Sequence, residues 1–116
     1  MELRQFSLPL LLAVLMFGGA TAAHADWTLT TKDNNSRAVV NTSRTTITVK
    51  DINADGNRAY ANYWRNDRGT TRFQIVTYSY KDSARASLGG SARIASFQAC
   101  SDHPVLGDTC TGRKYI

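Results

Sequence analysis

Residues 44–66, RTTITVKDINADGNRAYANYWRN, decide the fold class of this chain. The stretch holds two runs in which side chains alternate between two faces: Ile47 and Val49 share a face in the first run, as do Ala59 and Ala61 in the second. A period of two is the pattern of a half-buried β-strand. The Asp-Gly pair between the runs supplies the positive φ angles that tight turns require. The stretch therefore predicts a hairpin whose turn is NADGN (53–57).

The same turn also matches the first half of a calcium-binding loop. Asp51, Asn53, Asp55 and Gly56 fit D-x-[DN]-x-[DN]-G, in which alternate oxygens converge on the cation and glycine permits the bend. The twelfth position is Asn62 where the loop needs a bidentate glutamate, and the flanks are strand-like where helices are required. We therefore predict a hairpin turn, with weak calcium binding at its tip as the alternative.

Outward from this stretch the chain continues as short β-like runs. Segments rich in Thr, Val, Ile, Tyr and Phe alternate with segments rich in Asn, Asp, Gly and Ser, and helix signals are nearly absent. This predicts one all-β domain, a small antiparallel β-sandwich or barrel-like fold. The segment 71–81 is expected to be a central strand and 82–90 a loop; the other strands are expected at 27–31, 37–41, 44–52, 57–66, 91–100 and 111–116.

The N-terminal residues have the pattern of a secretory leader. An apolar run of about ten residues, too short to span a bilayer, is followed by small residues and an Ala23-His24-Ala25 cleavage site. We predict that residues 1–25 are a signal peptide and that 26–116 form a secreted domain, extracellular and without membrane attachment after cleavage. The alternative is a buried N-terminal helix.

The two cysteines, Cys100 and Cys110, are expected to form a disulfide, since exported chains most simply pair two such residues. The alternatives are two free thiols or half of a metal site. Zinc needs four ligands, or three with an open position, and His103 is the only histidine after residue 25. We therefore predict no metal site and no cofactor.

The chain is basic, with a formal net charge of +5 that does not change when Glu2 and Arg4 leave with the leader. The basic residues are scattered, and no five consecutive residues form a basic run, so we predict no nucleic-acid partner. Such a surface attracts anionic partners or envelope polymers at low salt. The alternative is that the charge only keeps a small secreted protein soluble.

Catalytic residues are scarce. A hydrolytic triad needs a nucleophile, a base and an orienting carboxylate in contact, and His103 is the single candidate base. Asp102 and Asp108 lie near it in sequence and are the candidate partners. The alternative is an exposed loop histidine. Residues 26–116 contain no glutamate, so a second general acid or base is missing, and we predict that the protein is not an enzyme.

Aromatic and basic residues fall on a shared face of the predicted strands. Such a face can stack sugars or bases or anchor a protein interface. The alternative is core packing, with Trp64 as the centre of the sandwich and Tyr78 also inside. The members of this candidate face are Arg58, Tyr60, Trp64, Tyr78 and Tyr80.

Several of these features together resemble a known group. A signal peptide, a D…ADG…AY hairpin, the strand SARIASFQAC (91–100) and the tail C…GDTCTG resemble the small secreted proteins of filamentous, sporulating Gram-positive soil bacteria. That group includes the adaptor subunits (UmbB type) of umbrella toxin particles. The resemblance implies a β-domain that bridges a lectin-like subunit and a large repeat-containing polypeptide. It also implies that the N-terminal segment inserts into the lectin-like partner; here that segment is Asp26, Trp27, Thr28, Leu29 and Thr30, the start of DWTLTT.

The sequence thus predicts a protein that acts by binding other secreted proteins. The first hypothesis is an adaptor subunit of an extracellular toxin assembly used in competition between bacteria. The second is an inhibitor of a secreted hydrolase such as a protease, which would present SDHPVLGDT (101–109) as a rigid loop. A carbohydrate- or cell-envelope-binding module and a small enzyme centred on His103 are the remaining alternatives.

Overall fold

The computed structural model describes residues 26–54 and 56–116, so the predicted signal peptide, residues 1–25, lies outside the described residues. Within those ranges the chain forms strands joined by turns and has no helix, so no helix there could cross a membrane. The prediction of an all-β domain is confirmed. The strands are β1 Trp27–Thr30, β2 Ser36–Val40, β3 Thr46–Asp51, β4 Arg58–Arg65, β5 Arg72–Val76, β6 Ser83–Ser87, β7 Ile94–Asp102, β8 Thr109–Cys110 and β9 Lys114–Tyr115.

The strands build two antiparallel sheets. Sheet A has the order β1-β2-β3-β6, and sheet B has the order β5-β4-β7-β8, with β9 also paired to β7. In sheet B the longest pairing joins β4 and β7, where Tyr63 lies opposite Phe97. Strands β8 and β9 each cover a different part of the other edge of β7. This arrangement leaves β7 in the interior of sheet B, immediately before the loop that carries His103.

The inner faces of the two sheets form one apolar core. The alternation predicted for β3 and β4 is confirmed, since Ile47 and Val49 face inward from sheet A, and Ala59 and Ala61 from sheet B. Small alanine side chains let the sheets approach closely, and a few larger side chains fill the space between them. The buried members are Ala38, Val40, Ile47, Val49, Ala59, Ala61, Tyr63, Ile94, Phe97 and Ala99.

An irregularity in β7 adds one more apolar side chain to this core. Along β4 the pairing partner changes from Ser96, opposite Trp64, to Ile94, opposite Arg65, so Ala95 is an extra residue in the ladder. An extra residue reverses the alternation of faces. Ile94 therefore lies on the core side together with Phe97, although the two are three residues apart.

The predicted hairpin over residues 44–66 is wrong in one respect. Both runs are strands, but β3 belongs to sheet A and β4 to sheet B, so they are not hydrogen-bonded to each other. The segment between them crosses from one sheet to the other, and Gly56 takes a positive φ of 80° in it. The reason is physical: alternation identifies the buried face of a strand, and both strands bury that face against the same core, but alternation does not identify the neighbouring strand.

The predictions for residues 71–90 also need correction. The expected central strand is the short β5, which lies at the edge of sheet B, and the expected loop 82–90 contains β6, an edge strand of sheet A. Between them the chain changes sheets through a turn at Lys81, whose φ is 70°. Ser and Ala are weak strand formers. Pairing with β3, from Thr46 opposite Ser87 to Lys50 opposite Ser83, decides the structure there.

Trp64 is buried, with 9% of its surface exposed, but it does not lie at the centre of the sandwich, where the core-packing alternative placed it. It is on the outer face of sheet B, where the guanidinium of Arg113 covers its ring at 3.7 Å from the centroid. The same guanidinium lies 4.8 Å from the ring of Tyr115, and its Nε donates a hydrogen bond to Ser96 Oγ at 2.9 Å. This stacking fixes the C-terminal residues to the sheet.

The N-terminal segment DWTLTT lies in the protein's own fold. Strand β1 pairs with β2, and Trp27 and Leu29 are partly buried against the core. Asp26 Oδ1 accepts hydrogen bonds from the backbone N and the hydroxyl of Thr42, both at 3.2 Å. Strand β1 lies at the edge of sheet A, so the side of β1 that faces away from β2 has no strand neighbour among residues 26–54 and 56–116.

Candidate functional site

The hairpin of β7 and β8 presents a loop over residues 103–108, which we call the tip loop. Cys100 lies opposite Cys110 in the ladder, and the two form the disulfide that the sequence predicts. Thr109 lies opposite Ser101 in the next pair. Two residues of β7 separate Cys100 from the loop, and one residue of β8 separates the loop from Cys110, so the bridge closes the hairpin next to the loop.

Hydrogen bonds inside the tip loop fix its backbone. The N–H of Gly107 donates to the carbonyl of His103 at 2.9 Å, and Gly107 has a φ of 90°, a conformation that favours glycine. The N–H of His103 donates to Asp108 Oδ1 at 3.3 Å. The other carboxylate oxygen of Asp108 accepts from the hydroxyl of Tyr60 on β4 at 2.5 Å. The loop is thus joined to the face of sheet B.

The ring of His103 is held from the other side by the turn between β1 and β2. His103 Nε2 lies 2.6 Å from Asp33 Oδ2, and the Ser101 hydroxyl donates to Asp33 Oδ1 at 3.0 Å. The Thr31 hydroxyl lies 3.3 Å from that of Ser101. Asp33 therefore ties the tip loop of sheet B to a turn of sheet A, a connection that spans 70 residues of sequence.

The sequence offered Asp102 and Asp108 as candidate partners of His103, but its side chain contacts Asp33 instead. Asp102 pairs with Arg58, whose Nη2 lies 2.8 Å from Asp102 Oδ2, and Asp108 accepts from the His103 backbone. His103 is also not the freely exposed loop residue of the alternative prediction, since 17% of its side chain is exposed. Residues adjacent in a strand point to opposite faces, so nearness in sequence is a weak guide to contact.

The Ser101–Asp33–His103 cluster does not have the order of a hydrolytic triad. In a triad the histidine lies between the nucleophile and the carboxylate. Here the carboxylate of Asp33 lies between the serine and the histidine. Ser101 is completely buried, so its hydroxyl has no access to a substrate. The cluster fits a role in fixing the tip loop.

Asp33 gives the protein a testable response to acid. Burial disfavours its charge, but hydrogen bonds from Thr31, His103, Ser101 and the Asn35 backbone outweigh burial and lower the pKa of Asp33 from 3.8. A carboxyl whose folded-state pKa is lowered contributes stability above its unfolded pKa, and this contribution is lost as pH falls through the folded value. We expect wild type to have a higher free energy of unfolding than Asp33→Asn above pH 3.8, and this difference in free energy to shrink at lower pH.

Urea denaturation from about pH 6 to about pH 2 measures this difference. Asp67→Asn is the matched control, because the pKa of Asp67 is also lowered, by its hydrogen bond to Arg65, but this pair is on the surface. We expect the control to change stability little, since solvent screens exposed ion pairs. A pH-independent difference between wild type and Asp33→Asn would contradict the assigned role of the carboxylate.

Two aliphatic side chains project from the tip loop. Val105 and Leu106 are 92% and 87% exposed, the highest values among the exposed large apolar residues of the described chain. Beside them is a shallow hollow of about 180 Å³, lined by Asn57, His103, Pro104 and the same two side chains. Single exposed apolar residues are common. Two adjacent ones on a loop with a fixed backbone form a protruding apolar surface, here called the knob, which consists of Val105 and Leu106.

The structure brings together part of the predicted aromatic and basic face. Arg58, Tyr60 and Tyr78 line one groove on the outer face of sheet B, together with Asp102 and Asp108. Burial, the hydrogen bond to Asp108 and the nearby negative charges raise the pKa of Tyr60 to about 12, so its hydroxyl remains a donor. Tyr78 is 72% exposed and is not a core residue, which corrects the alternative of core packing.

The other two members of the predicted face lie elsewhere. Trp64 is at the far end of β4 beneath Arg113, and Tyr80 is in the turn after β5, with Lys81 Nζ 5.6 Å from its ring centroid. Sequence reasoning missed Asp33 and Gln74 as site residues and did not single out Val105 and Leu106. The position of the two aliphatic residues between the cysteines was the available signal for the tip; nothing local marks Asp33.

Within residues 26–54 and 56–116, no group of three or more His, Cys, Asp or Glu side chains could hold a metal ion. Asp51, the first position of the calcium-type motif, is buried and accepts a hydrogen bond from the N–H of Asn53 at 3.2 Å. Asp55, the third acidic or amide position of that motif, lies outside the described residues.

The fold and the site define a small disulfide-bridged β-sandwich with a protruding apolar loop and a polar groove. Comparisons of the chain with protein-family models, with curated proteins and with solved structures found no match. The loop and the groove are therefore the two surfaces whose geometry bears on function.

Proposed function

We propose that this protein is exported and acts by binding another protein, with Val105 and Leu106 as the anchor residues. The observation that carries this proposal is the exposure of both side chains on a loop whose backbone is fixed by Gly107, Asp108 and the disulfide. A few side chains that fill well-packed, desolvated pockets carry most of the binding energy at an interface. A loop fixed before binding loses little conformational entropy when it docks.

The shape of the tip loop indicates the shape of its partner. Two adjacent aliphatic side chains at the end of a narrow hairpin form a convex surface, which fits a concave apolar pocket or cleft. The carboxylates nearest to the loop already have partners: Asp33 contacts His103, Asp102 contacts Arg58, and Asp108 contacts Tyr60. The knob therefore presents mainly apolar surface to its partner.

An inhibitor of a secreted hydrolase is the role that this geometry favours within the binding class. Such an inhibitor needs a rigid exposed loop that enters the enzyme's cleft, and the tip loop has both properties. We propose no catalytic role for the protein itself, because Ser101 is buried and Asp33 lies between it and His103.

An adaptor subunit of an extracellular toxin assembly is the second candidate, and the free edge of β1 favours it. An exposed strand edge can accept a strand from another chain. In this structure Trp27 and Leu29 face the protein's own core. We therefore infer that an adaptor role would use strand addition beside β1 and would not require the segment to leave its sheet.

Capture from the producing culture separates these two roles. The full chain is expressed with its own leader and a C-terminal tag on a flexible linker, and proteins retained by the secreted product are identified. Val105→Asp/Leu106→Asp should weaken capture by at least about 100-fold, since burying an unpaired carboxylate costs several kcal/mol. Thr28→Glu/Thr30→Glu, at two exposed positions of β1, should leave capture unchanged.

Loss of capture by Thr28→Glu/Thr30→Glu, with capture by Val105→Asp/Leu106→Asp unchanged, would assign binding to the edge of β1 and favour the adaptor role. Retention of partners by both variants would overturn binding at either surface. Since all four substituted side chains are exposed, we expect unchanged melting temperatures, which verify that each variant is folded. Loss of hydrolase activity in the captured fraction at a one-to-one ratio would identify the inhibitor.

A further inference from the structure

The outer face of sheet B carries a second surface that the protein-docking role does not use. It is a groove of about 340 Å³ formed where β4, β5 and β7 lie side by side next to the base of the tip loop. This volume is within the range of about 300–1,000 Å³ that is usual for small-molecule sites. Val105 and Leu106 do not line the groove.

The polar side chains of the groove are held in place before any ligand binds. Arg58 donates through Nε and Nη2 to Asp102 Oδ2 at 3.2 and 2.8 Å, so its guanidinium has a fixed orientation. Its remaining nitrogen, Nη1, is a donor for a ligand. Tyr60 is fixed by its hydrogen bond to Asp108. Preorganised polar groups of this kind give a site its specificity.

A chain of side-chain amides supplies a fixed acceptor on the floor of the groove. Gln98 Nε2 donates to the carbonyl of Thr111 at 3.1 Å, Asn62 Nδ2 donates to Gln98 Oε1 at 2.9 Å, and Gln74 Nε2 donates to Asn62 Oδ1 at 3.0 Å. Each amide orients the next one. Gln74 lines the groove, and its Oε1 is the acceptor at the end of the chain.

An aromatic ring forms one wall of the groove. Tyr78 is 72% exposed, and the Arg58 guanidinium lies 5.5 Å from its ring centroid. An exposed ring beside fixed donors and acceptors offers an apolar surface together with hydrogen-bonding groups. This combination suits a ligand that has flat C–H faces and many hydroxyls.

The charged groups that line the groove are one guanidinium, Arg58, and two carboxylates, Asp102 and Asp108. The site therefore has no surplus of positive charge with which to select phosphate or carboxylate ligands. Arg58 is already paired with Asp102, and Asp108 accepts from Tyr60, so the groove suits a neutral ligand with hydrogen-bonding groups.

We propose that this groove binds a neutral oligosaccharide, with Tyr78 stacking on a sugar ring and Arg58, Gln74 and Asp108 bonding to its hydroxyls. Hydroxyl groups both donate and accept hydrogen bonds, so they can use the free donor of Arg58 and the free acceptor of Gln74. Val105 and Leu106 do not line the groove, so Val105→Asp/Leu106→Asp should leave this binding unchanged.

Calorimetric titration of the full secreted chain tests this assignment. The probes are hexasaccharides of β-1,4-linked N-acetylglucosamine, β-1,4-linked glucose and α-1,4-linked glucose, with an oligogalacturonate as the anionic comparison. We expect at least one neutral probe to bind with a Kd between about 10 μM and 1 mM, and the anionic probe to bind more weakly. Binding of none of the neutral probes, or tighter binding of the anion, would overturn the proposal.

Single substitutions test whether the oligosaccharide binds beside Tyr78. Tyr78→Ala should weaken binding by about tenfold or more, the scale of a well-packed aromatic anchor, and Tyr78→Phe should retain most of the affinity because it keeps the ring. Tyr115→Ala is the matched control, since Tyr115 is 70% exposed and also stacks on an arginine, but it lies at the other end of the face opposite Ser96. Equal losses for Tyr78→Ala and Tyr115→Ala would contradict the assignment to this groove.

Discussion

Phe97→Ala should lower the free energy of unfolding by about 3–5 kcal/mol, the usual cost of deleting a fully buried phenylalanine. Phe97 has no exposed surface and is the largest completely buried side chain of the described residues. It sits on β7 in the interior of sheet B, opposite Tyr63 on β4. Ala61 and Ala99 form the next inward-facing pair of the same two strands, and their short side chains cannot extend into the space left by the ring. The cavity should therefore persist.

Equilibrium urea denaturation measures this loss, and Phe73→Ala is the matched control. Phe73 is the same residue type in the same sheet, but it lies on the edge strand β5 and is only partly buried, stacked on Tyr63 with 5.4 Å between ring centroids. We expect the control to cost clearly less, because solvent can occupy the space that its ring leaves. Equal costs at the two positions would mean that the core is not centred on β7.

Alternation along the chain was sufficient to predict the faces of the strands. Ile47 and Val49 of β3 and Ala59 and Ala61 of β4 lie in the core as expected, because a period of two directly reflects which side of a strand is buried. The pairing partner of each strand could not be derived in the same way. The turn after Asp51 leads from one sheet to the other, and an Asp-Gly turn is compatible with a hairpin or with such a crossing.

The short edge strand β6 shows where local propensity fails. Its sequence, SARAS, has small residues that favour no strand by themselves, yet Ala84 and Ala86 pack toward the core while β3 supplies the hydrogen bonds. Ala84 and Ala86 do alternate with polar residues, but this signal is weak because alanine is depleted in strands. The weakness of the local signal explains why 82–90 was expected to be a loop.

Part of the candidate site could be predicted from local spacing, and part consists of contacts between residues that are distant in sequence. The pairing of Cys100 with Cys110 could be predicted from the number of cysteines together with the secretory pattern of the N-terminal residues. The contact of His103 with Asp33 joins residues 70 positions apart, and the amide chain that ends at Gln74 crosses three strands. Such contacts depend on the order of strands in sheet B and on how sheet A covers it, and neither is encoded within one segment.

Cys100→Ala/Cys110→Ser should lower the free energy of unfolding by about 2.8 kcal/mol, the chain-entropy value for closing a loop of this length. Alanine suits the buried position 100 and serine the exposed position 110. Urea denaturation of the variant and of wild type reduced with dithiothreitol should give the same loss. A loss near zero would show that Asp33, Asp108 and the ladder of β7 and β8 hold the hairpin without the bridge.

The same variant separates the two surfaces by function. The disulfide closes the tip loop directly, whereas its contacts with the groove are the longer ones of Tyr60 Oη to Cys110 Sγ, 3.9 Å, and of Asn62 Nδ2 to Cys100 Sγ, 3.8 Å. Without the bridge the loop samples more conformations before docking, so partner capture should weaken by more than the folded fraction alone predicts. Oligosaccharide affinity should change little, since Arg58, Gln74 and Tyr78 lie on or next to β4 and β5. Unchanged capture by the folded variant would show that the rigidity of the tip loop is not the source of its binding, and the inhibitor role would then lose its physical basis.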